Sequence, residues 1–202
     1  MSRCLCACLL GLCLFGCASS PPKNISDLCA IFEEKEGWYE AASEARQKWG
    51  SPISVMMAFM HQESRFKAKA KPPRGKIFGF IPGPRPSNAY GYSQALDSTW
   101  DNYRRDAGRY WADRDDFEDA VDFVGWYNDQ SFRRSGIAKN DGYRLYLAYH
   151  EGQGGYNRGS YREKKWLINV AKKVQQKANN YAGQLKRCEK DLKNDGWFFG
   201  LF

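Results

Sequence analysis

The chain has 202 residues and a formal charge of +8, with 43% hydrophobic, 27% charged and 15% aromatic residues. That length suits one ordinary domain with short additions, and that apolar content excludes a wholly disordered chain. The positive balance favours an anionic partner, but the basic residues are interspersed with acids and no nucleic-acid-binding motif is present, so nucleic acid is not an expected partner.

Residues 1–16 open with Arg3, continue as an apolar stretch from Cys4 to Phe15 and end on Gly16. A basic start, a short apolar run and a small residue before the break read as a secretory signal, too short to span a bilayer. The ending Leu14-Phe15-Gly16-Cys17 resembles the bacterial lipobox. That resemblance implies removal of residues 1–16, lipidation of Cys17 and attachment to a membrane through that lipid. Residues 17–28, with Ser19-Ser20-Pro21-Pro22, then form a tether. Ala18 stands where inner-membrane lipoproteins typically carry Asp, so the implied location is the outer membrane, facing the periplasm. An uncleaved anchor or an ordinary signal peptide is the alternative.

Of seven cysteines, four lie within the first 13 residues, and beyond Cys17 only Cys29 and Cys188 remain. In an oxidising compartment such a pair tends to bridge, which would staple the first helix of the folded region to its last. Two free buried thiols are the other possibility.

The folded region, residues 29–192, is expected to be mainly α. Trp38, Ala41, Ala42, Ala45 and Trp49 recur at helical spacing, as do Phe117, Ala120, Val121 and Val124 after Asp116, a good N-cap. Ser51 and Pro52 predict the start of a helix running to Phe66. Leu167, Val170, Ala171, Val174, Ala178, Tyr181 and Leu185 predict a long final helix carrying Cys188. No sustained strand alternation is present. The segment Lys71 to Ser87 holds five of the eight prolines and cannot continue a helix. It is either a plain surface loop or a border of a functional cleft. Residues 193–202 form an apolar tail whose Trp197, Phe198, Phe199, Leu201 and Phe202 are expected to pack on the domain, ahead of a membrane or partner contact.

In the helix beginning at Ser51, residues Met56, Phe59, Glu63 and Phe66 share one face, with Ile53 and Met60 beside them. Glu63 therefore interrupts an apolar stripe. A carboxyl there is either paired or neutral with a raised pKa, and a neutral acid near pH 7 is what protonating a glycosidic oxygen requires. On periodicity alone, a helix-end Glu bonded to an Arg or a backbone amide is the simpler reading. The neighbouring residues change the balance. Gln62-Glu63-Ser64-Arg65-Phe66 resembles the Glu-Ser motif of soluble-type lytic transglycosylases and goose-type lysozymes. Ala89-Tyr90-Gly91-Tyr92-Ser93-Gln94 is similar to their second motif, usually Gly-Leu-Met-Gln. Leu147-Ala148-Tyr149-His150-Glu151-Gly152 resembles their third, usually Ala-Tyr-Asn-x-Gly. The three occur in family order across about half of the chain.

The resemblance implies a lysozyme-like domain in which Glu63 is the single catalytic acid and base. It implies that Ser64 and Gln94 hold the Glu or the sugar and that Tyr149 steers the carboxylate. Tyr92, His150 and Tyr156 are further candidate substrate contacts. Tyr92-Ser93 replaces the usual Leu-Met, and His150 replaces the Asn, whose contact is therefore not carried over directly. Glu151 is a second nearby carboxylate, expected to cap a helix or to pair with a Lys or Arg; an inverting hydrolase would need such a base. Two His without a neighbouring Cys pair give no zinc-ligand spacing, so no metal and no cofactor are expected. The implied partner is the glycan strand of peptidoglycan; protein partners are unspecified. The implied reaction is cleavage of the MurNAc–GlcNAc β-1,4 bond with 1,6-anhydroMurNAc formation. A muramidase on the same fold, or a non-catalytic peptidoglycan-binding lipoprotein, are the alternatives.

Overall fold

A computed structural model describes residues 20–77 and 80–199, without the side chains of Ile77 and of residues 195–199. The signal segment, Cys17 and the packing of the apolar tail thus lie outside the described residues. Seven helices and one two-stranded hairpin make up the described chain, in the order α1 (Leu28–Glu34), α2 (Trp38–Trp49), α3 (Ile53–Ser64), β1 (Lys76–Ile77), β2 (Ile81–Pro82), α4 (Asp97–Asp106), α5 (Phe117–Ser135), α6 (Gly142–Arg158) and α7 (Lys165–Phe199). The domain is mainly α, as its periodicity predicts. Among the described residues no helix is long and apolar enough to cross a membrane.

Helix α3 is the axis of the core. Every residue from Ile53 to Met60 is buried, because α7 covers one side, α5 another and α2 closes the bundle against α5. A helix apolar on all faces is stable only when wrapped in this way. The Asp116 carboxylate caps α5 by accepting from the Asp119 N–H, as expected. Ser51 does not cap α3: Pro52 occupies the cap position, and the buried Ser51 hydroxyl accepts from Asn128 Nδ2 at 2.9 Å. The helix start is thereby tied to α5 rather than to its own first turn.

The Asp122 carboxylate on α5 ties three elements together. It accepts from Trp49 Nε1 at 2.7 Å and from the Tyr103 hydroxyl at 2.7 Å, and pairs with Lys48 at 3.1 Å. A buried acid without such partners would cost several kcal/mol (roughly 1–3 or more). Cys29 and Cys188 are joined in a disulfide with Cα atoms 6.0 Å apart, so α1 is stapled to α7 as expected. Closing a loop this long contributes about 3–5 kcal/mol on the chain-entropy view. The Gln184 side chain reinforces the same contact by accepting from the Leu28 N–H at 2.8 Å.

The Lys71–Ser87 segment carries a short antiparallel hairpin, with Lys76 opposite Pro82 and Ile77 opposite Ile81, although the sequence shows no strand alternation. Two-residue strands are too short to show an alternation. The final helix also continues through the start of the tail as far as Phe199.

Candidate active site

Glu63 lies on the last turn of α3, where the chain stops being helical. Arg65 and Phe66 both adopt left-handed backbone angles, with φ of 52° and 59°. Gln94 is the third non-glycine residue with positive φ among those described, at 51°. Each such residue costs about 1–3 kcal/mol unless its surroundings enforce it. All three fall within the first two sequence motifs. The third motif has its own backbone anomaly: Gly152 interrupts α6 at φ 70° and ψ 156°, angles open essentially to glycine alone. Gly91 is equally constrained, because at φ 80° a Cβ would lie 1.9 Å from the Arg114 carbonyl oxygen. Strain gathers where the motifs meet.

Hydrogen bonds close the three motifs into a ring. The Gln94 side-chain amide donates to the carbonyls of Ala70 and Gly91, each at 2.9 Å, which clamps the second motif to the chain leaving α3. The Tyr149 hydroxyl donates to the Ser93 carbonyl at 2.7 Å, joining the third motif to the second. The Tyr146 hydroxyl, from the residue just before the third motif on α6, is hydrogen-bonded to the Glu63 carboxyl of the first. Phe59, one turn before Glu63, meets the rings of Tyr146 and Tyr149 edge-on, each at a centroid distance of 5.3 Å.

The electrostatics follow from this packing. Glu63 keeps partial solvent contact, yet it has no ion pair among the described residues, and its charge must sit among aromatic rings. Burial pushes its pKa up from the usual 4.5 to about 7, against the smaller opposing effect of the Tyr146 hydrogen bond. The Tyr146 and Tyr149 hydroxyls are held well above their usual range, first by burial and then by the facing Glu63 charge, so both remain protonated donors. Two neutral donors and an uncharged acid can share this space; an ionised Glu63 is tolerated but disfavoured.

A cavity of about 300 Å³ adjoins the ring, lined by Gln94, Tyr127, Tyr149, His150, Glu151 and Gly152 among others. Nothing lies within 4 Å of where a Cβ of Gly152 would be, so the wall there is bare backbone facing open space. The Glu151 carboxylate contrasts with Glu63. It pairs with Lys164 at 2.7 Å, accepts from the Ser160 hydroxyl and contacts His150 Nδ1 at 3.0 Å. Burial raises its pKa, but the hydrogen bonds from Lys164, Ser160 and His150 outweigh this and take it down to about 2. Among the described residues no group of three or more His, Cys, Asp or Glu side chains is placed to hold a metal ion.

The expected substrate contacts divide into two sets. Gln94, Tyr149 and His150 line the cavity. Ser64 is buried and its hydroxyl donates back to the Met60 carbonyl at 3.1 Å, not to Glu63. Tyr92 is also placed away from the cavity: it is 1% exposed, its ring edge-on to Trp38 and Phe117, which stack on each other at 3.7 Å. Its ring supports the second-motif turn from inside and is not open to stacking. Tyr156 lies beyond the Gly152 kink, stacked with Tyr161 at 5.3 Å. Tyr146 is the residue that motif reading missed. It stands three positions before Tyr149, so helical spacing alone would have put both hydroxyls on one face of α6.

A search of curated proteins gives no match. A family model described as "Transglycosylase SLT domain" matches residues 5–188, which takes in all three motifs and the helices that carry them. The chain therefore belongs to the transglycosylase SLT family, whose domain acts on peptidoglycan.

Proposed function

We propose that the protein is a lytic transglycosylase that cleaves the β-1,4 bond between N-acetylmuramic acid and N-acetylglucosamine, with Glu63 as its one acid and base. The observation that carries this reading is the Glu63 carboxyl, without an ion pair among the described residues and held near a pKa of about 7 beside two tyrosine hydroxyls. Protonated Glu63 delivers its proton to the bridging oxygen while the C1–O bond breaks and the muramyl ring gains oxocarbenium character. The muramyl 6-hydroxyl then bonds to C1, its proton returns to the Glu63 carboxylate, and a 1,6-anhydro ring closes. The carboxylate left after the first step is stabilised by the Tyr146 hydroxyl. Gln94, Tyr149 and His150 are proposed to contact the sugar, with the bare Gly152 backbone admitting it closely. Ser64 and Tyr92 support the site through packing and backbone contacts.

A muramidase of the inverting type needs a second carboxylate to activate water. Glu151 is the nearest candidate in the third motif, but its oxygens are occupied and its pKa of about 2 makes it a poor base. This favours the transglycosylase over the hydrolase. Mass spectrometry of products from purified sacculi tests the choice: anhydro-muropeptides are expected, whereas reducing muropeptides would establish the hydrolase and no products would leave a binding protein.

Attachment to the outer membrane through Cys17 is proposed from the Leu14-Phe15-Gly16-Cys17 motif alone. Cys17→Ser is expected to move the protein from the membrane to the soluble fraction; unchanged partition would contradict the anchor.

A further inference from the structure

A second concavity, of about 580 Å³, runs between α3 and α7, and its size is that of a ligand cleft. On α3 it is lined by Ala58, His61, Gln62 and Arg65, and on α7 by residues that include Lys173, Val174 and Lys177. Both sets follow the i, i+3, i+4, i+7 spacing of a single helix face. At roughly 100° per residue, the α3 set lies roughly 150° around the helix from Glu63. The groove therefore belongs to the face of α3 turned away from the candidate active site.

Its chemistry is one-sided. The lining holds Arg65, Lys173 and Lys177 and no Asp or Glu. Among the described residues none of these three cations has a carboxylate partner, and the Lys177 ammonium rests 5.3 Å from the centre of the Tyr181 ring. His61, pushed down to about 4 by burial and by the charges of Lys177 and Arg65, is neutral there at pH 7. Lys173 and Lys177 stand one turn apart on α7, about 5–6 Å between Cβ atoms, and Arg65 lies on the α3 wall. Cations on both walls suit carboxylates distributed along a chain. Gln62, Gln176 and Asn180 add side-chain amides, which offer both donors and acceptors to peptide bonds. The stretch from Val170 to Asn180 is roughly 15 Å long, the reach of about four or five extended residues.

We propose that this groove binds a short acidic peptide, and that its source is the stem peptide of the cell wall. The assignment of the source rests on the peptidoglycan reading of the Glu63 site; the anionic-peptide chemistry does not. With glycan at one face of α3 and a stem peptide at the other, the enzyme would engage two parts of the wall at once.

The test uses the whole protein and two measurements. Isothermal titration with the synthetic stem tetrapeptide should show binding that Lys173→Gln/Lys177→Gln weakens by about tenfold. On intact sacculi the double variant should release product more slowly than wild type, with equal rates on glycan strands stripped of peptide by an amidase. Peptide binding unaffected by the double substitution would overturn the proposal, as would equal losses on both substrates. Tighter binding of hexaglutamate than of the stem peptide would overturn the assigned source. Wild-type protein inert on both substrates contradicts the catalytic reading alone, because the titration still decides the groove.

Discussion

Glu63 and Glu151 are the same side chain in the first and third motifs, and the protein treats them in opposite ways. Glu63, at the end of α3, faces rings and hydroxyls, with no cation paired to it among the described residues, and its pKa is raised to about 7. Glu151, after the third-motif Tyr149, is met by an ammonium, a hydroxyl and an imidazole, and its pKa falls to about 2. Burial acts upward on both. What separates them is whether polar partners repay the lost hydration, one hydroxyl for Glu63 and three partners for Glu151. One carboxyl is left able to exchange a proton near neutrality and the other is fixed as an anion that braces the turn between α6 and α7.

Four experiments test this contrast. The largest effect is expected from Glu63→Gln, which preserves shape and removes the exchangeable proton. Activity on sacculi should fall by about 10³–10⁴-fold or more, with folding intact by circular dichroism. Tyr146→Phe should come next. It removes a hydrogen bond to the ionised form worth about 1.5–3 kcal/mol, so turnover should fall by roughly ten- to a hundredfold. Because that bond lowers the Glu63 pKa, the alkaline limb of the rate profile should move to higher pH, a shift that mere loosening of the fold would not give.

Glu151→Gln should leave most of the activity and instead cost about 1–2 kcal/mol in denaturant unfolding, since Lys164 is well exposed and the pair is partly screened. A loss of activity comparable to that of Glu63→Gln would make Glu151 a catalytic base. The last effect concerns stability against pH. Glu63 binds its proton more tightly folded than unfolded, so its contribution is complete below the usual 4.5 and is lost as pH rises through about 7. Glu151 is the reverse: its contribution is present above 4.5 and lost as pH falls towards about 2. Glu63→Gln should therefore gain stability relative to wild type between pH 5 and 8, and Glu151→Gln should approach wild type below pH 3.

The helices with a long apolar rhythm were legible in the sequence. Trp38–Trp49, the Asp116-capped α5 and the Leu167–Leu185 stripe all depend on local spacing that packing then reinforces. The Cys29–Cys188 staple was legible because few cysteines were left to choose from. The motifs marked the right regions but not each side chain's role. Tyr92 and Tyr149 both stand in motifs, and nothing in the sequence says that Trp38 and Phe117 enclose the first while the second opens on the cavity. Ser64 follows Glu63, yet on a helix the next residue points about 100° away, which sends its hydroxyl to Met60 instead. The left-handed angles of Arg65, Phe66 and Gln94 were not legible, because only tertiary contacts hold ordinary residues there. The Lys71–Ser87 segment was recognisable as non-helical, but its place was not. It borders a depression with Asn88, Tyr90 and Arg114, beside the second motif.

The most direct test is a carbon-detected NMR titration of the side-chain carboxyls of Glu63 and Glu151 in the wild-type protein. Midpoints near 7 for Glu63 and near 2 for Glu151 are expected. A Glu63 midpoint at the ordinary 4.5 would mean that the acid is already ionised at neutral pH, and would contradict the assignment of Glu63 as the proton donor.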